Sequence, residues 1–224
     1  RLRHRRADAG ARRGKLAKRA HEMISATEAL EQLRTGNSRF VSGGQLVESF
    51  ANPMRRNELT AGQEPFAVIL GCSDSRVPVE IIFDFSLGHL FVIRVAGNIV
   101  APSQIGSIEF AAEQFGTRLV VVLGHDDCGA VSATIDELKR PTGSRSPNLS
   151  AIVDRIRPAV EPLMATETED AALLDQAVQA NIGASVDHLR HGSEILETLI
   201  RDDGLLIVGA EYSLETGAVN FFDD

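Results

Sequence analysis

Two cysteines and one histidine are the residues of this chain best suited to hold a metal ion. Cys72 lies in a Gly-Cys-Ser-Asp-Ser-Arg motif, and His125 and Cys128 lie in Gly-His-Asp-Asp-Cys-Gly. Two thiolates and one imidazole form a ligand set of catalytic zinc, which leaves a fourth position for water or substrate. A structural zinc site usually adds a fourth Cys or His, and the chain has no other cysteine. The sequence therefore predicts a catalytic zinc site.

Asp74 and Arg76 stand beside the first of these ligands, two residues apart, so both side chains can point to the same side of an extended or tightly turned segment. A surface ion pair is the simpler interpretation. Near a metal, Asp74 can accept a hydrogen bond from the coordinated water while Arg76 holds the carboxylate in place. A bound cation lowers the pKa of that water, so we expect a hydroxide nucleophile near neutral or mildly alkaline pH.

Four short apolar runs predict the buried strands of a mainly parallel sheet. Each is apolar on both faces, which is typical of parallel strands covered by helices on both sides. Ligands of such sheets bind beyond the carboxyl ends of the strands. Cys72 follows the first run and His125 follows the third, so we expect both at one edge of the sheet. The runs cover residues 66–70, 90–95, 119–123 and 205–208.

Helices and one further strand complete the predicted fold. Apolar residues recur at spacings of three and four over residues 105–115 and in the segment 148–200, which predicts helices. Residues 208–212 and 218–222 flank a Glu-Thr-Gly turn and predict a hairpin with an antiparallel edge strand. The predicted fold class is α/β: a central mostly parallel sheet of four strands plus an antiparallel edge strand, flanked by helices, with an N-terminal helical arm.

The length and the apolar content predict one globular domain. The chain has 224 residues, of which 43% are hydrophobic, enough for one substantial core. Ser25 and Glu28 form a capping-box pattern that begins a helix, and we expect Gly36 to end it. We expect residues 1–20 to be a basic, disordered extension and residues 21–224 to be a single catalytic domain.

Charge and composition limit the location and the partners. The net charge is -8, and residues 1–20 carry nine Lys or Arg against one Asp, so the remainder carries -16 (-8 minus +8). The acidic body has no basic stripe with interleaved aromatics, which argues against nucleic-acid binding. No signal-peptide core and no membrane-spanning apolar run is evident. We therefore expect a reducing, cytoplasmic location without membrane contact.

Four motifs of the chain resemble those of one enzyme family. They are Cys-Ser-Asp-Ser-Arg at 72–76, Arg-Val-Ala-Gly-Asn at 94–98, Gly-Ser-Ile-Glu-Phe at 106–110 and Gly-His-x-x-Cys-Gly at 124–129. Together they resemble the β-class carbonic anhydrases over residues 25–222. This resemblance implies reversible hydration of carbon dioxide to bicarbonate and a proton, through a zinc-bound hydroxide and with one Zn²⁺ per chain. It also implies Cys72, His125 and Cys128 as ligands and Asp74 with Arg76 as the catalytic dyad.

The resemblance also implies a substrate cleft between two subunits, and therefore a homodimer or a higher even oligomer. We expect the second strand and the helix over residues 24–35 to be buried against the second subunit. Some relatives have Tyr at the position of Phe110, so a hydroxyl group is missing here. The implied substrate-binding residues are a hydrogen-bonding glutamine, apolar cleft residues and a glycine whose backbone approaches the substrate: Gln63, Phe91, Ala96, Phe110 and Gly129.

Three other functions remain open from the sequence. Relatives with the same zinc site hydrolyse carbon disulfide or carbonyl sulfide, and a non-catalytic zinc scaffold is a second alternative. A nucleotide-binding module is a third, but the chain has neither a G-x-G-x-x-G nor a P-loop pattern.

Two details of the site also depend on the resemblance. In the family, the aspartate of the dyad closes the zinc site in some members, and some of these bind a regulatory bicarbonate with a Trp that Ile69 replaces here. We therefore expect an open site at neutral pH or above, with ligation of the metal by Asp74 at lower pH as the alternative. A proton-shuttling histidine has three candidates, namely His89, His188 and His191.

Overall fold

The computed structural model describes residues 24–45, 53–141, 146–165 and 169–222. The expected basic extension, residues 1–20, lies outside the described residues. Among the helices of the described ranges, none has the length and apolar character needed to cross a membrane.

Five strands form one sheet in the order β2-β1-β3-β4-β5. The first four are parallel to one another, and β5 pairs antiparallel with β4 at one edge. This arrangement confirms the predicted fold class, including the terminal hairpin. The strands are β1 Ala67–Gly71, β2 Leu90–Arg94, β3 Leu119–His125, β4 Leu206–Tyr212 and β5 Val219–Phe221.

Helices connect the strands and cover the sheet. Their bounds are α1 Ala26–Ser42, α2 Pro53–Glu58, α3 Val79–Ile82, α4 Pro102–Gln114, α5 Gly129–Lys139, α6 Pro147–Val160, α7 Asp170–His191 and α8 Glu194–Asp202. Short 3₁₀ turns lie at Leu59–Ala61, Ala96–Asn98 and Glu161–Ala165.

Apolar layers cover both faces of the sheet. Helices α4 to α8 contribute to one layer, and α1 and α3 contribute to the other. The side chains of β1 alternate between them, since Val68 and Leu70 belong to the first layer and Ala67 and Ile69 to the second. All five residues of β1 are buried. Because neither face meets solvent, the strand has a continuous apolar sequence rather than an alternating one.

Helix α1 begins as the sequence predicts but ends later. The Glu28 backbone N–H donates to Ser25 Oγ, and Glu28 in turn accepts from the Ser25 backbone N–H at 2.8 Å. The predicted end at Gly36 is wrong, because the helix continues to Ser42 and Gly43 caps it in the left-handed conformation. A Cβ atom on Gly36 would lie 1.9 Å from the carbonyl oxygen of Phe83. Gly36 therefore permits a close helix-to-backbone contact instead of ending the helix.

The buried face of α1 packs on its own chain. Ala29 and Leu33 are fully buried in the same apolar layer as Ile69 of β1. Any contact of this helix with a second subunit must therefore use its other faces.

We expect Gly36→Ala to lower the free energy of unfolding by about 2–3 kcal/mol, because the new methyl group must displace the backbone of Phe83. The matched control is Gly183→Ala in α7, where a Cβ would meet nothing within 4 Å. That substitution should stabilise the protein by about 0.5–1 kcal/mol, since Ala loses less backbone entropy than Gly in a helix. Urea unfolding at one protein concentration measures both effects. An unchanged midpoint for Gly36→Ala would contradict this account of α1.

Candidate active site

Three side chains with metal-binding atoms converge at the carboxyl ends of β1 and β3. Cys72 directly follows β1, His125 is the last residue of β3, and Cys128 is the N-cap of α5. The two strands are neighbours, with Gly71 opposite Leu123. The two sulfur atoms and a ring nitrogen of His125 all lie within 4.8 Å of one another. All three residues are buried, so the cluster is a group that can hold one metal ion.

The ring of His125 is oriented for metal binding. Its Nδ1 lies 2.7 Å from the carbonyl oxygen of Asp126, and because a carbonyl can only accept, Nδ1 carries the proton. Nε2 then has a free lone pair. It is buried and has no hydrogen-bond partner among the described residues. An unpaired buried acceptor is unfavourable, and a metal ion at this point would satisfy it.

The two thiols perturb one another strongly. A hydrogen bond from Cys128 is the main reason why the pKa of Cys72 lies far below its ordinary value. The same hydrogen bond, together with burial, raises the pKa of Cys128. A cation between the two sulfurs takes the place of the proton in this hydrogen bond, because metal binding to cysteine displaces protons. The donor set thus fits a zinc ion.

Asp74 and Arg76 form a two-pronged ion pair beside the cluster. Arg76 donates from Nε to one carboxylate oxygen at 3.0 Å and from Nη2 to the other at 2.8 Å. The Arg76 backbone N–H adds a third hydrogen bond at 2.9 Å. The hydrogen bonds from Arg76 hold the pKa of the Asp74 carboxyl well below its usual range. Asp74 Oδ2 lies 3.9 Å from His125 Nε2, so the carboxylate is adjacent to the cluster, whose members are Cys72, His125 and Cys128.

Two residues from the motif that begins at the last residue of β2 form hydrogen bonds with Cys72 and its segment. Arg94 donates from Nε to the Cys72 carbonyl at 3.0 Å and from Nη2 to the Asp74 carbonyl at 2.6 Å. The backbone N–H of Gly97 points at Cys72 Sγ at 3.3 Å. The sequence marked this motif but assigned neither contact. Both depend on β2 lying beside β1, with Arg94 opposite Gly71, which no local pattern reveals.

The residues expected to bind substrate fall into two groups. Ala96 begins the turn that carries Gly97, and Gly129 follows Cys128 at the start of α5, so both lie near the cluster. Gln63 lies before β1 and lines a surface cavity with His89. This places it at the amino end of the sheet. The five residues of β1 alone separate it from Cys72 by roughly 17 Å, at about 3.3 Å per residue.

Phe91 and Phe110 lie together on the β2 edge of the sheet. Their ring centroids are 6.3 Å apart, and Phe115 contacts both rings. Phe110 is 51% exposed although it is a large apolar side chain. Phe91 is opposite Val68 in the amino-terminal half of β1. Within one chain, Phe91 packs against the apolar layer that contains Cys72 and Cys128, and Phe110 lies at the exposed edge of the sheet.

The three histidines considered for proton transfer lie outside the cluster. His89 contacts Ser86 and the aromatic rings at the amino end of the sheet. His191 is exposed and interacts with Asp187 in its own helix. His188 lines a separate cavity between α6 and α7. The described part of the chain therefore assigns none of them a shuttle role.

A family model and the sequences of known relatives indicate the same family for this chain. A family model described as carbonic anhydrase matches residues 67–219. Carbonic anhydrase 2 of Mycobacterium tuberculosis is 38% identical over 189 residues, which cover 84% of this chain and 89% of that protein. The carbonic anhydrase of Mycolicibacterium smegmatis is 37% identical over 194 residues, with coverages of 85% and 90%.

Solved structures agree. A tetrameric β-carbonic anhydrase of Sordaria macrospora has a TM-score of 0.66 at 25% identity, covering 77% of this chain and 88% of that one. The β-carbonic anhydrase of Coccomyxa in complex with acetazolamide has a TM-score of 0.67 at 25% identity, with coverages of 76% and 78%. Since the family model spans more than half of the sequence and the relatives match most of it, this chain belongs to the β-carbonic anhydrase family.

Proposed function

We propose that this protein catalyses the reversible hydration of carbon dioxide to bicarbonate and a proton, with one zinc ion held by Cys72, His125 and Cys128. The observation that carries the proposal is the buried cluster in which a ring nitrogen of His125 and the two sulfurs lie within 4.8 Å of one another, while His125 Nε2 has no hydrogen-bond partner among the described residues. Thiolate and imidazole ligands favour zinc over harder cations. When bound, zinc lowers the pKa of a water in its fourth position and so supplies hydroxide near neutral pH.

Asp74 is the proposed orienting group. Because its two oxygens are held by Arg76, the carboxylate stays ionised and acts only as an acceptor. The carboxylate is placed to accept a hydrogen bond from the attacking water, and this hydrogen bond directs a lone pair of the water oxygen at carbon dioxide. The same ion pair keeps Asp74 from moving onto the metal, which supports an open site. Arg94 fixes the backbone on both sides of this segment through the carbonyls of Cys72 and Asp74.

The alternatives have less support. Hydrolysis of carbon disulfide or carbonyl sulfide would use the same metal chemistry, but the relatives reported above are carbonic anhydrases. A non-catalytic zinc scaffold has no need for the bidentate pair of Asp74 and Arg76 next to the ligands. Parallel assays of carbon dioxide hydration and sulfide release on one metal-analysed sample would separate the two enzyme activities.

We expect Asp74→Asn to keep about one zinc per chain and to lose roughly 10–100-fold in kcat for carbon dioxide hydration, because the amide disrupts the orienting contact. Cys128→Ala is the matched variant, and it should lose most of the zinc along with the activity. Elemental analysis and stopped-flow hydration assays on the same samples measure both quantities. Full kcat in Asp74→Asn would reject the orienting role, and stoichiometric zinc in Cys128→Ala would reject the ligand assignment.

We propose that the cleft is completed by a second copy of the chain. The metal ligands lie at the carboxyl end of the sheet, whereas Gln63 lies at the amino end and the rings of Phe91 and Phe110 lie on the exposed edge. These three residues reach a cleft most directly when two chains meet through the β2 edge. The protomer would then give its partner the glutamine and the aromatic wall, in a homodimer or a higher even oligomer.

Mixed dimers test this arrangement. We expect Gln63→Ala and Cys128→Ala to be impaired as homodimers, the first by roughly 100-fold, as for loss of a hydrogen bond to the reacting group. A heterodimer of the two should recover about half of the native activity. Its one metal-binding site, in the Gln63→Ala chain, receives Gln63 from the other chain. Two affinity tags allow the heterodimer to be isolated and assayed.

The control carries both substitutions in one chain and pairs it with a native chain. If Gln63 acts across the interface, the native metal site in that heterodimer receives alanine in place of the glutamine and stays impaired. If Gln63 acts within its own chain, the two heterodimers exchange their activities. That exchange would contradict the shared cleft.

We further propose that residues 21–224 form one catalytic domain in the cytoplasm and that residues 1–20 are dispensable. The five strands form one sheet that the described helices cover, and cysteines that bind a metal as thiolates need a compartment that keeps thiols reduced. The full chain and a chain that begins at residue 21 should show the same kcat/KM and the same cytosolic distribution on cell fractionation. Loss of activity in the shorter chain, or recovery of either form outside the cytosol, would contradict the corresponding part.

A further inference from the structure

The sulfur of Cys72 receives a backbone hydrogen bond. Gly97 N–H lies 3.3 Å from Cys72 Sγ, and both residues are buried. A hydrogen bond to a thiolate withdraws electron density from the sulfur and so weakens its donation to a bound metal. This N–H belongs to the Ala96–Gly97 peptide, so the orientation of that peptide group influences the electron density on the sulfur.

The conformation of Gly97 is demanding. Its φ is +70°, and a Cβ atom would lie 2.8 Å from Ile156 Cδ1 and 3.1 Å from Ala130 Cβ. Helices α5 and α6 thus close over the turn, and a residue with a side chain would be pushed out of position. Close packing does not determine which way the carbonyls of Gly97 and Asn98 point. Hydrogen bonds to these two carbonyls determine their direction.

Helix α7 supplies those hydrogen bonds. Asn181 Nδ2 donates to the Gly97 carbonyl at 2.8 Å across a separation of 84 residues, and Ser185 Oγ donates to the Asn98 carbonyl at 3.1 Å. Asn181 is 2% exposed and lies between apolar neighbours on the face that packs against the sheet. An apolar residue at position 181 would pack equally well there. The amide of Asn181 is needed because it donates the hydrogen bond to the Gly97 carbonyl.

The next residue, Ile182, fixes the position of α7 along the sheet. Ile182 fits where Gly124 of β3 and Gly209 of β4 leave space, since a Cβ on either glycine would lie within 2.8 Å of its side chain. Sliding of α7 along the sheet is therefore blocked. Asn181 is held opposite the Gly97 carbonyl as a consequence.

We propose that Asn181 is a positioning residue of the metal centre: it holds the carbonyl of the Gly97–Asn98 peptide, restricts the φ and ψ angles of Gly97, and thereby keeps the Gly97 N–H on the Cys72 sulfur. This inference rests on the proposed function, in which Cys72 is a metal ligand. Asn181 acts only through the turn, and it is distinct from the residues that contact the metal or the substrate.

The test uses the Co²⁺-substituted full chain, in which the sulfur-to-cobalt charge-transfer absorption reports the electron density on the thiolates. We expect Asn181→Leu, which fills the space, and Asn181→Ala, which does not, to shift this band to longer wavelength. Zinc dissociation constants from chelator competition should rise on the order of tenfold, because loss of the preorganised position of the Cys72 sulfur outweighs its stronger donation. The control is Thr117→Val, which removes a buried hydrogen bond to the Pro65 carbonyl at the amino end of the sheet. It should lower thermal stability and leave the band in place.

The outcomes are separable. A band that stays at the native position in both Asn181 variants, with native zinc affinity, overturns the inference and leaves the proposed function intact. A native protein that binds Co²⁺ without any charge-transfer band overturns the proposed function itself.

A measurement without substitution covers the case in which the variants do not fold. In the ¹¹³Cd-substituted, ¹⁵N-labelled native chain, we expect scalar coupling between the Gly97 amide proton and the metal through the N–H···S bond. Absence of the coupling overturns the inference, because Asn181 can act on the sulfur only through this bond.

Discussion

The parallel pairing of β1 with β3 is the contact on which the site depends. It places residue 72 and residue 125 side by side although more than fifty positions separate them, because Gly71 is opposite Leu123. A slip by one residue would displace Cys72 by about 3.3 Å and turn its side chain to the other face. Both faces of β1 are apolar, so polarity alone does not prevent such a slip. The notch that Gly124 and Gly209 form around Ile182 is one feature that fixes the packing across β3 and β4.

The side chains that support the site bind backbone carbonyls. Arg94 binds those of Cys72 and Asp74, Asn181 binds that of Gly97, and the Asp126 carbonyl orients His125. Carbonyls in irregular turns have no partner in a helix or sheet, and leaving them buried and unpaired is unfavourable. The same hydrogen bonds therefore stabilise the turns and fix the metal-binding atoms. Folding and preorganisation of the cluster are one process here.

The sequence predicted the features that depend on short-range patterns. Continuous apolar runs identified the buried strands, and the ends of two runs located Cys72 and His125. Gly36 was misread because a glycine near a helix end has two physical explanations, a cap or a close contact, and only the position of Phe83 distinguishes them. The buried Asn37 beside it joins α1 to the carbonyls of Ile82 and Gly217, another tertiary contact that outweighs the local stop signal.

The hydrogen bonds that support the site from distant positions could not be predicted from the sequence, because they too depend on tertiary contacts. Asn181 interrupts an apolar helix face, which marks it as unusual without naming its partner 84 residues away. Arg94 is recognisable within a motif, but its two acceptors are fixed only when β2 pairs with β1. Both roles require knowledge of strand order.

The distribution of residues between the two ends of the sheet gives the proposed shared cleft a physical basis. A single chain brings together the charged and ionisable groups, namely the thiols, the imidazole and the ion pair of Asp74 with Arg76. These groups need only strand pairing and local turns. Carbon dioxide is small and apolar, so its pocket needs apolar walls that exclude water. In the described part of one chain, the aromatic patch of Phe91, Phe110 and Phe115 leaves Phe110 half exposed. Burial of this patch against a second copy would enclose the ionised groups and remove exposed apolar area in one step, so association and completion of the site have the same driving force.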